Sequence, residues 1–233
     1  DFRRKTVENV LLNPFYQHFD VPKIWILNVF LNYICMVWPY TAVVDGGFKT
    51  YPMFLKIFNA YRRKRQLAVL KNHPQSKLGS IKIGDEVKFI LDAEMKQMSV
   101  GKSVNFRDNI HILVQRNASL VIEDRVFLNN FCSVNCLDQI FIGENTLFGE
   151  NVKLYDHNHE YSRENGQLTV QHSRFKTAPI YIGKNCWLGS NVTVLKGVSI
   201  GDNCIIGAGC VIHKNVPPNT TVLHRQDLIF NAH

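Results

Sequence analysis

The stretch IYIGKNCWLGSNVTVLKGVSIGDNCIIG, residues 180–207, decides the fold. An aliphatic residue recurs in it at six-residue steps, at Ile182, Leu188, Val194, Ile200 and Ile206. Glycine follows that residue at every step except Val194. Three such hexads make one coil, and a repeat this short is typical of a parallel β-helix, because one coil cannot bury its own apolar row but a stack of coils can.

The hexads extend upstream through most of the chain. Coils are predicted to begin at Ile83, Val100, Ile122, Ile142, Ile182 and Ile200. The fifth hexad position is small, which suits tight packing beside the aliphatic row; it is filled by Val87, Val104, Val126, Cys132, Thr146, Val152, Cys186, Val192, Val198, Cys204, Cys210 and Val216. We therefore expect a mainly β domain over residues 78–222, followed by a short tail over 223–233.

The repeat is interrupted once on a large scale. The interval from Ile142 to Ile182 is 40 residues, about twice the others. Phe148 and Leu154 continue the hexads, but the next hexad positions hold Glu160, Gly166, His172 and Ala178. Residues 160–179 are predicted to leave the solenoid as an excursion loop. Function concentrates in irregular excursions from a rigid scaffold, so this loop marks the candidate site.

Residues 1–77 show no hexads and are expected to be helical, with helices over 5–19 and 53–71. They hold 12 Lys/Arg against 4 Asp/Glu, whereas residues 78–233 hold 15 of each, so the net charge of +8 lies in the first third. Residues 24–44 carry no charge. Two interpretations remain open: a helical element that caps the solenoid or packs a trimer, and an interfacial membrane element with basic flanks. No nucleic-acid partner is predicted.

The six cysteines form no CxxC pair, and four of them occupy the small fifth position. Packing explains these four, and we expect reduced thiols in a cytoplasmic protein. No secretory signal pattern opens the sequence.

The run Asp156-His157-Asn158-His159-Glu160 stands at the root of the predicted loop. A histidine at the edge of a rigid stack is well placed to act as a general base. A metal site built from His157, His159 and His172 is an alternative, although no third ligand stands at a firm spacing.

From Arg125 onward the sequence resembles the hexapeptide-repeat O-acetyltransferases, which include maltose, galactoside and nodulation-factor acetyltransferases. The resemblance is carried by Leu128-Asn129-Asn130-Phe131, by the run at 156–159, by Ala178-Pro179-Ile180-Tyr181-Ile182-Gly183-Lys184-Asn185-Cys186-Trp187-Leu188-Gly189-Ser190 and by the segments 196–201 and 205–217. It implies a left-handed winding, a homotrimer whose active sites are shared between subunits, and acetyl-CoA as co-substrate with no metal.

The resemblance also implies roles for particular residues. It makes His159, rather than His157, the base on the acceptor hydroxyl, and Asn129 the amide near the reaction centre. Asp156, Glu160, Glu164 or a backbone carbonyl would orient His159. Residues placed on the acceptor side are Asn129, Trp187 and Asp156; those placed on the coenzyme side are Gly189, Ser190, Gly207, Ala208, His213 and Lys214.

The sequence departs from the family at several positions. Leu137 replaces an acidic residue that contacts sugar in the galactoside enzymes, and His213 stands where the family commonly has threonine. The overall prediction is a cytoplasmic O-acetyltransferase for a sugar or cell-envelope polysaccharide unit, peripheral on the inner membrane surface if residues 1–77 attach it. The alternatives are N-acetylation of an amino sugar or other small acceptor, a γ-type carbonic anhydrase, and a non-catalytic scaffold.

Overall fold

The protein folds as a β-helix with three flat faces, each a parallel sheet; the structure, a computed structural model, describes residues 52–225. Face A comprises β1 (Ser76–Leu78), β4 (Gln97–Val100), β7 (Ser119–Ile122), β10 (Gln139–Ile142), β15 (Ile180–Ile182) and β18 (Ser199–Ile200). Face B comprises β2 (Ile81–Ile83), β5 (Val104–Phe106), β8 (Phe127–Leu128), β11 (Leu147–Phe148), β16 (Trp187–Leu188), β19 (Ile205–Ile206) and β21 (Thr221–Val222). Face C comprises β3 (Lys88–Leu91), β6 (His111–Val114), β9 (Ser133–Cys136), β12 (Lys153–Tyr155), β17 (Thr193–Leu195) and β20 (Val211–Ile212).

Each coil visits faces A, B and C in turn, and the predicted coil starts align with one exception. Val100, Ile122, Ile142, Ile182 and Ile200 occupy one register on face A. Ile83, predicted to open the first coil, pairs with Phe106 on face B instead, and Leu78 is the residue that aligns with Val100. The prediction for Ile83 is wrong because hexads on all three faces look alike, so periodicity cannot tell which face a hexad occupies.

The core runs along the axis of the solenoid. Every residue of the small fifth position is buried, Thr146 among them. The Thr146 hydroxyl donates to the Gly183 carbonyl at 2.9 Å, so this one polar core group is satisfied. The apolar row and the small row therefore both point inward, as the repeat predicts.

Two residue types occupy the corners between faces, each for a different physical reason. A Cβ on Gly183 would lie 2.4 Å from the Asp202 carboxylate and 2.6 Å from the Asp202 nitrogen, so this glycine is required by the close approach of the next coil. The left-handed backbone conformation falls mainly on asparagines, such as Asn185 (φ 54°) and Asn203 (φ 59°). Asparagine tolerates this region better than most residues.

One helix, α1 (Pro52–Asn72), covers the first coil. Leu70 is fully buried in the solenoid core and Leu67 packs against it. The Gln66 side-chain oxygen accepts from the Phe89 backbone nitrogen at 3.5 Å, and His73 contacts the Asp92 carbonyl at 3.0 Å. The helix predicted over 53–71 is present, and it closes one end of the hydrophobic core.

Some predictions fall outside the described residues: the helix over 5–19, the uncharged segment 24–44, Cys35 and the tail beyond residue 225. Within residues 52–225, no helix combines the length and the apolar character that crossing a bilayer would require.

Candidate active site

The residues predicted as an excursion loop form an antiparallel hairpin of β13 (His157–Glu164) and β14 (Gln167–Thr177). Its turn is Asn165-Gly166, with φ of 50° and 81°. Two successive positive φ angles are what a type I′ turn requires, and Asn-Gly is its preferred sequence. The loop prediction is therefore corrected to a β-hairpin, and this dipeptide was the overlooked signal.

The hairpin leaves the solenoid at the edge between faces C and A, the C–A edge. The early coils also have their smaller insertions at this edge, in residues 92–96 and 115–118. By contrast, the connection into the fourth coil at the same edge is only two residues long, 137–138. At the base, the Ala178 nitrogen donates to the Asp156 carbonyl at 2.9 Å, which joins the incoming and outgoing chains.

The Asp156 side chain is buried at the base of the hairpin. It is 0% exposed, and its carboxylate accepts from the Leu137 nitrogen at 2.9 Å and the Asp138 nitrogen at 2.8 Å. Its oxygens have no open surface in this subunit, and the acceptor-side role of Asp156 stays a prediction. The carboxylate ties the hairpin exit to the preceding coil.

His157 contacts the buried Asp156 carboxylate. Its Nδ1 lies 3.2 Å from an Asp156 carboxylate oxygen, and its side chain is 17% exposed. Its ring makes edge contacts with Tyr155 and Phe175, at centroid distances of 6.1 and 5.3 Å. Packing and hydrogen bonding account for this histidine.

His159 is exposed and differently arranged. Its Nδ1 lies 2.9 Å from the Gln171 carbonyl on the opposite strand, and its ring rests on Phe175 at 4.6 Å. A carbonyl oxygen can only accept, so Nδ1 is assigned as the donor, and in the neutral ring the lone pair is on Nε2. Of the orienting groups considered from sequence, the backbone carbonyl is the one in contact, and Phe175 is a neighbour that the sequence analysis missed.

A second group of predicted residues lies along the edge between faces B and C, the B–C edge. The Asn129 nitrogen donates to Phe148 at 3.2 Å, Gly149 to Leu188 at 2.7 Å and Gly189 to Ile206 at 2.7 Å, so these corners stack directly. Ser190 and Ala208 follow the glycines on the same edge. A Cβ on Gly189 would meet the Ala208 nitrogen at 2.7 Å, which explains the glycine by coil stacking alone.

The side-chain amide of Asn129 uses its oxygen, but not its nitrogen, in hydrogen bonds to described residues. Its Oδ1 accepts from the Asn130 nitrogen at 2.9 Å, and no hydrogen bond within residues 52–225 involves its Nδ2. The neighbour Asn130 is more fully occupied, because its Oδ1 accepts from Asp108 and its Nδ2 lies 3.5 Å from Glu150. Asn129 can therefore present an N–H donor outward.

Trp187 lies on the outer surface of face B, next to the B–C edge. It is 53% exposed and aligns with Leu147 and Ile205, which are 43% and 41% exposed. His213 and Lys214 are exposed after β20, at the C–A edge of the last coil.

The structure thus sorts the predicted residues into two groups. His159, His213 and Lys214 belong to the C–A edge; Asn129, Gly189, Ser190, Gly207 and Ala208 belong to the B–C edge. Face C separates them, and a four-residue strand spans about 13 Å. One chain does not bring His159 and Asn129 together.

Besides histidine, the region offers cysteine thiols as nucleophiles and His, Cys, Asp and Glu side chains as metal ligands. Burial raises the pKa of the Cys132 thiol to about 11, and burial followed by the Asp156 charge raises the pKa of Cys136 as well. Neither is a thiolate near neutral pH. Among the described residues, no group of three His, Cys, Asp or Glu side chains is arranged to hold a metal ion.

A family model described as the hexapeptide repeat of succinyl-transferase matches residues 179–214. The Escherichia coli K12 protein named as a lipopolysaccharide biosynthesis O-acetyl transferase, WbbJ, is 27% identical over 131 residues, 52% of this chain and 67% of WbbJ. The galactoside O-acetyltransferase of the same organism is 36% identical over 121 residues, 49% of this chain and only 50% of that enzyme. The chain thus spans only part of the length of the curated relatives it matches.

The fold also matches a solved structure. A point mutant of AntD, an N-acyltransferase from Bacillus cereus in complex with dTDP and coenzyme A, superposes with a TM-score of 0.51 at 14% identity, over 65% of this chain and 80% of AntD. At this identity the match bears on the fold alone.

Proposed function

We propose that the chain, whose residues 179–214 match the hexapeptide-repeat model and whose curated relatives are named O-acetyltransferases, is an acetyltransferase of the hexapeptide-repeat family that transfers an acetyl group from acetyl-CoA to a hydroxyl of a sugar or of a cell-envelope polysaccharide unit. The observation that carries the proposal is the arrangement of His159. Its Nδ1 is engaged by a main-chain carbonyl at 2.9 Å, its side chain is exposed, and its free Nε2 is the basic atom that direct transfer needs.

The proposed reaction is a single displacement. His159 Nε2 removes the acceptor hydroxyl proton while the oxygen attacks the thioester carbonyl carbon. The tetrahedral oxyanion is stabilised by an N–H donor, for which the outward Nδ2 of Asn129 is the candidate. Collapse breaks the carbon–sulfur bond, and the leaving thiolate receives the proton from His159. No nucleophilic cysteine is used, in keeping with the raised pKa of Cys132.

The coenzyme is assigned to the B–C edge of the last coils. Ser190, Gly207 and Ala208 are at least partly exposed and carry no bulky side chain, so a pantetheine arm can approach the chain closely there, while the buried Gly189 lets the coils beneath them stack. His213 and the exposed cation Lys214 lie at the C–A edge, across face C from these residues, so they are proposed to meet the nucleotide phosphates of the coenzyme bound along the B–C edge of a neighbouring copy.

The active unit is proposed to be a homotrimer. Because face C separates His159 from Asn129, a site that uses both needs His159 from one copy and Asn129 from another. The exposed apolar row of Leu147, Trp187 and Ile205 on face B, beside the B–C edge, offers a surface for such a contact. Trp187 would then border the acceptor.

Transfer can be tested by measuring free thiol release from acetyl-CoA with a panel of sugars, glycans and amino sugars. His159→Ala should lower kcat by about 10²–10⁴-fold. His172→Ala is the matched control, since His172 is exposed on the same hairpin, and it should retain activity.

The outcomes separate the alternatives. Amine acceptance in place of hydroxyl acceptance would identify an N-acetyltransferase. No transfer to any acceptor, together with unchanged cellular function of His159→Ala, would identify a scaffold. The proposal also places the enzyme in the cytoplasm, attached peripherally to a membrane surface.

A further inference from the structure

Positive charge is concentrated at one end of the solenoid. Residues 52–91, which form α1 and the first coil, contain nine Lys/Arg and two Asp/Glu, a net charge of +7. Residues 92–233 contain 13 of each sign, and residues 1–51 contribute only +1. Almost all of the net charge of +8 therefore lies on the helix and the coil it covers.

The two acidic residues of this end are already engaged. Asp85 accepts from Arg63 at 2.7 Å and from Asn59 at 3.1 Å, and Glu86 pairs with Arg62. These pairs fasten α1 to the first coil. The remaining seven cations make no ion pair with a described residue; they are Lys56, Lys64, Arg65, Lys71, Lys77, Lys82 and Lys88.

These seven cations surround the end of the solenoid. Lys56, Lys64, Arg65 and Lys71 are exposed on α1, and the first coil places one exposed lysine on each face: Lys77 on face A, Lys82 on face B and Lys88 on face C. We call these seven residues the cationic cap. A stripe of cations along one side of the solenoid would favour an extended polyanionic chain as ligand. Cations that encircle the end instead favour a broad anionic surface.

Apolar side chains are interspersed with the cations on α1. Ile57 is 60% exposed and Val69 is 41% exposed. These two side chains add apolar surface that the interface of an anionic bilayer could bury, beside the electrostatic attraction of the cations to its lipids. A soluble polyanion would use the charges but would leave the aliphatic side chains in water.

We infer that the cationic cap docks the solenoid end-on to a bilayer containing anionic lipids. With coils about 4.8 Å apart, the third coil with Asn129 and the fourth with the root of the hairpin stand about 10 and 14 Å further along the axis. Docking would hold the proposed site close above the headgroups, where a lipid-linked sugar would project. This last step rests on the proposed acetyl transfer; the docking itself does not.

The full chain should be tested by co-sedimentation with vesicles of phosphatidylcholine alone and of phosphatidylcholine mixed with phosphatidylglycerol. Binding should require phosphatidylglycerol and should weaken steeply as salt is raised. Lys64→Glu with Lys71→Glu should reduce the partition coefficient by about thirtyfold or more, from the contribution of each basic residue near an anionic surface. Arg163→Glu with Lys176→Glu, which changes the charge equally on the hairpin, should leave binding unchanged.

Several results would overturn the inference. Equal binding to neutral vesicles, or equal loss in both double variants, would remove the role of the cap. Binding of soluble dextran sulfate without binding of vesicles would identify a polyanion partner instead. Acetyl transfer to a soluble acceptor, measured on the same samples, reports on the proposed function independently, so failure of one is distinguishable from failure of the other.

Discussion

Asp156 shows how a single buried carboxylate can connect two structural elements. Its oxygens accept from the amides of Leu137 and Asp138 in the preceding coil, while its backbone carbonyl accepts from Ala178 after the hairpin. The side chain contacts His157 as well. The rigid solenoid and the hairpin that carries His159 thus meet at one residue.

We expect Asp156→Asn to lower the free energy of unfolding by about 2–3 kcal/mol, because the amide group would face backbone N–H donors and leave one of them without an acceptor. Urea denaturation measures the change. Asp202→Asn is the control: the Asp202 carboxylate accepts from the Lys184 nitrogen at 2.7 Å but is exposed, so water replaces the lost acceptor. Equal losses in both variants would contradict the special role of the buried site.

The sequence predicted some of these residue roles and not others. The inward direction of Cys132 and Thr146 followed from the six-residue period, because the period alone fixes which side chains face the axis. The burial of Asp156 did not, since it depends on how the coil with Leu137 stacks beneath it. That contact joins residues 19 apart and carries no periodic signal.

The corners of the solenoid carry a second periodic feature, a ladder of asparagine side chains. Asn145 donates to Asn185 at 2.9 Å, Asn185 to Asn203 at 3.1 Å and Asn203 to Asn219 at 3.0 Å. All four residues have positive φ. The ladder links successive coils outside the core, and its first bond joins the two stacked coils that the hairpin separates in the sequence.

Two substitutions at Asn185 separate the contributions of side chain and backbone. Asn185→Gly removes two side-chain hydrogen bonds but keeps the left-handed conformation accessible, and should lower unfolding free energy by about 1–2 kcal/mol. Asn185→Ala loses the same bonds and adds backbone strain, so it should be less stable than the glycine variant by about 1 kcal/mol. Both are measured by urea denaturation; equal stabilities would mean that the conformation at Asn185 carries no strain.

The hairpin is the element that periodicity could locate but could not describe. The break in the hexads identified residues 160–179 because the apolar row is absent there. Periodicity gave no strand signal, because the hairpin strands are exposed on both sides, with Tyr161, Leu168 and Val170 between 45% and 66% exposed. Local turn chemistry at Asn165-Gly166, rather than repeat counting, carried the information.

At the scale of the whole molecule, the order of faces decides what one chain can do alone. The sequence places His159 and Asn129 in successive coils, but only the three-sided winding shows that they leave from different edges. The same winding gathers the charges of residues 52–91 at one end, whereas the sequence analysis assigned them to the region 1–77. The edge from which a residue leaves, and the end of the solenoid at which it lies, both depend on how the coils stack. Counting residues along the sequence could therefore not reveal them.

The division between edges predicts complementation between two inactive variants. If each site combines His159 of one copy with Asn129 of another, His159→Ala and Asn129→Ala are each inactive alone but complementary in a mixed trimer. With equal amounts assembled at random, about a quarter of the sites contain both residues, so about a quarter of wild-type activity should return.

The experiment consists of unfolding and refolding the two purified variants together and then assaying thiol release. Refolding each variant separately and mixing afterwards is the control, because preformed trimers do not exchange subunits if the interface is stable. The size of the assembly, from light scattering, should be that of three chains in every sample. Recovery no greater than the sum of the two residual activities would contradict a site shared between copies, and full activity of Asn129→Ala by itself would remove Asn129 from the reaction.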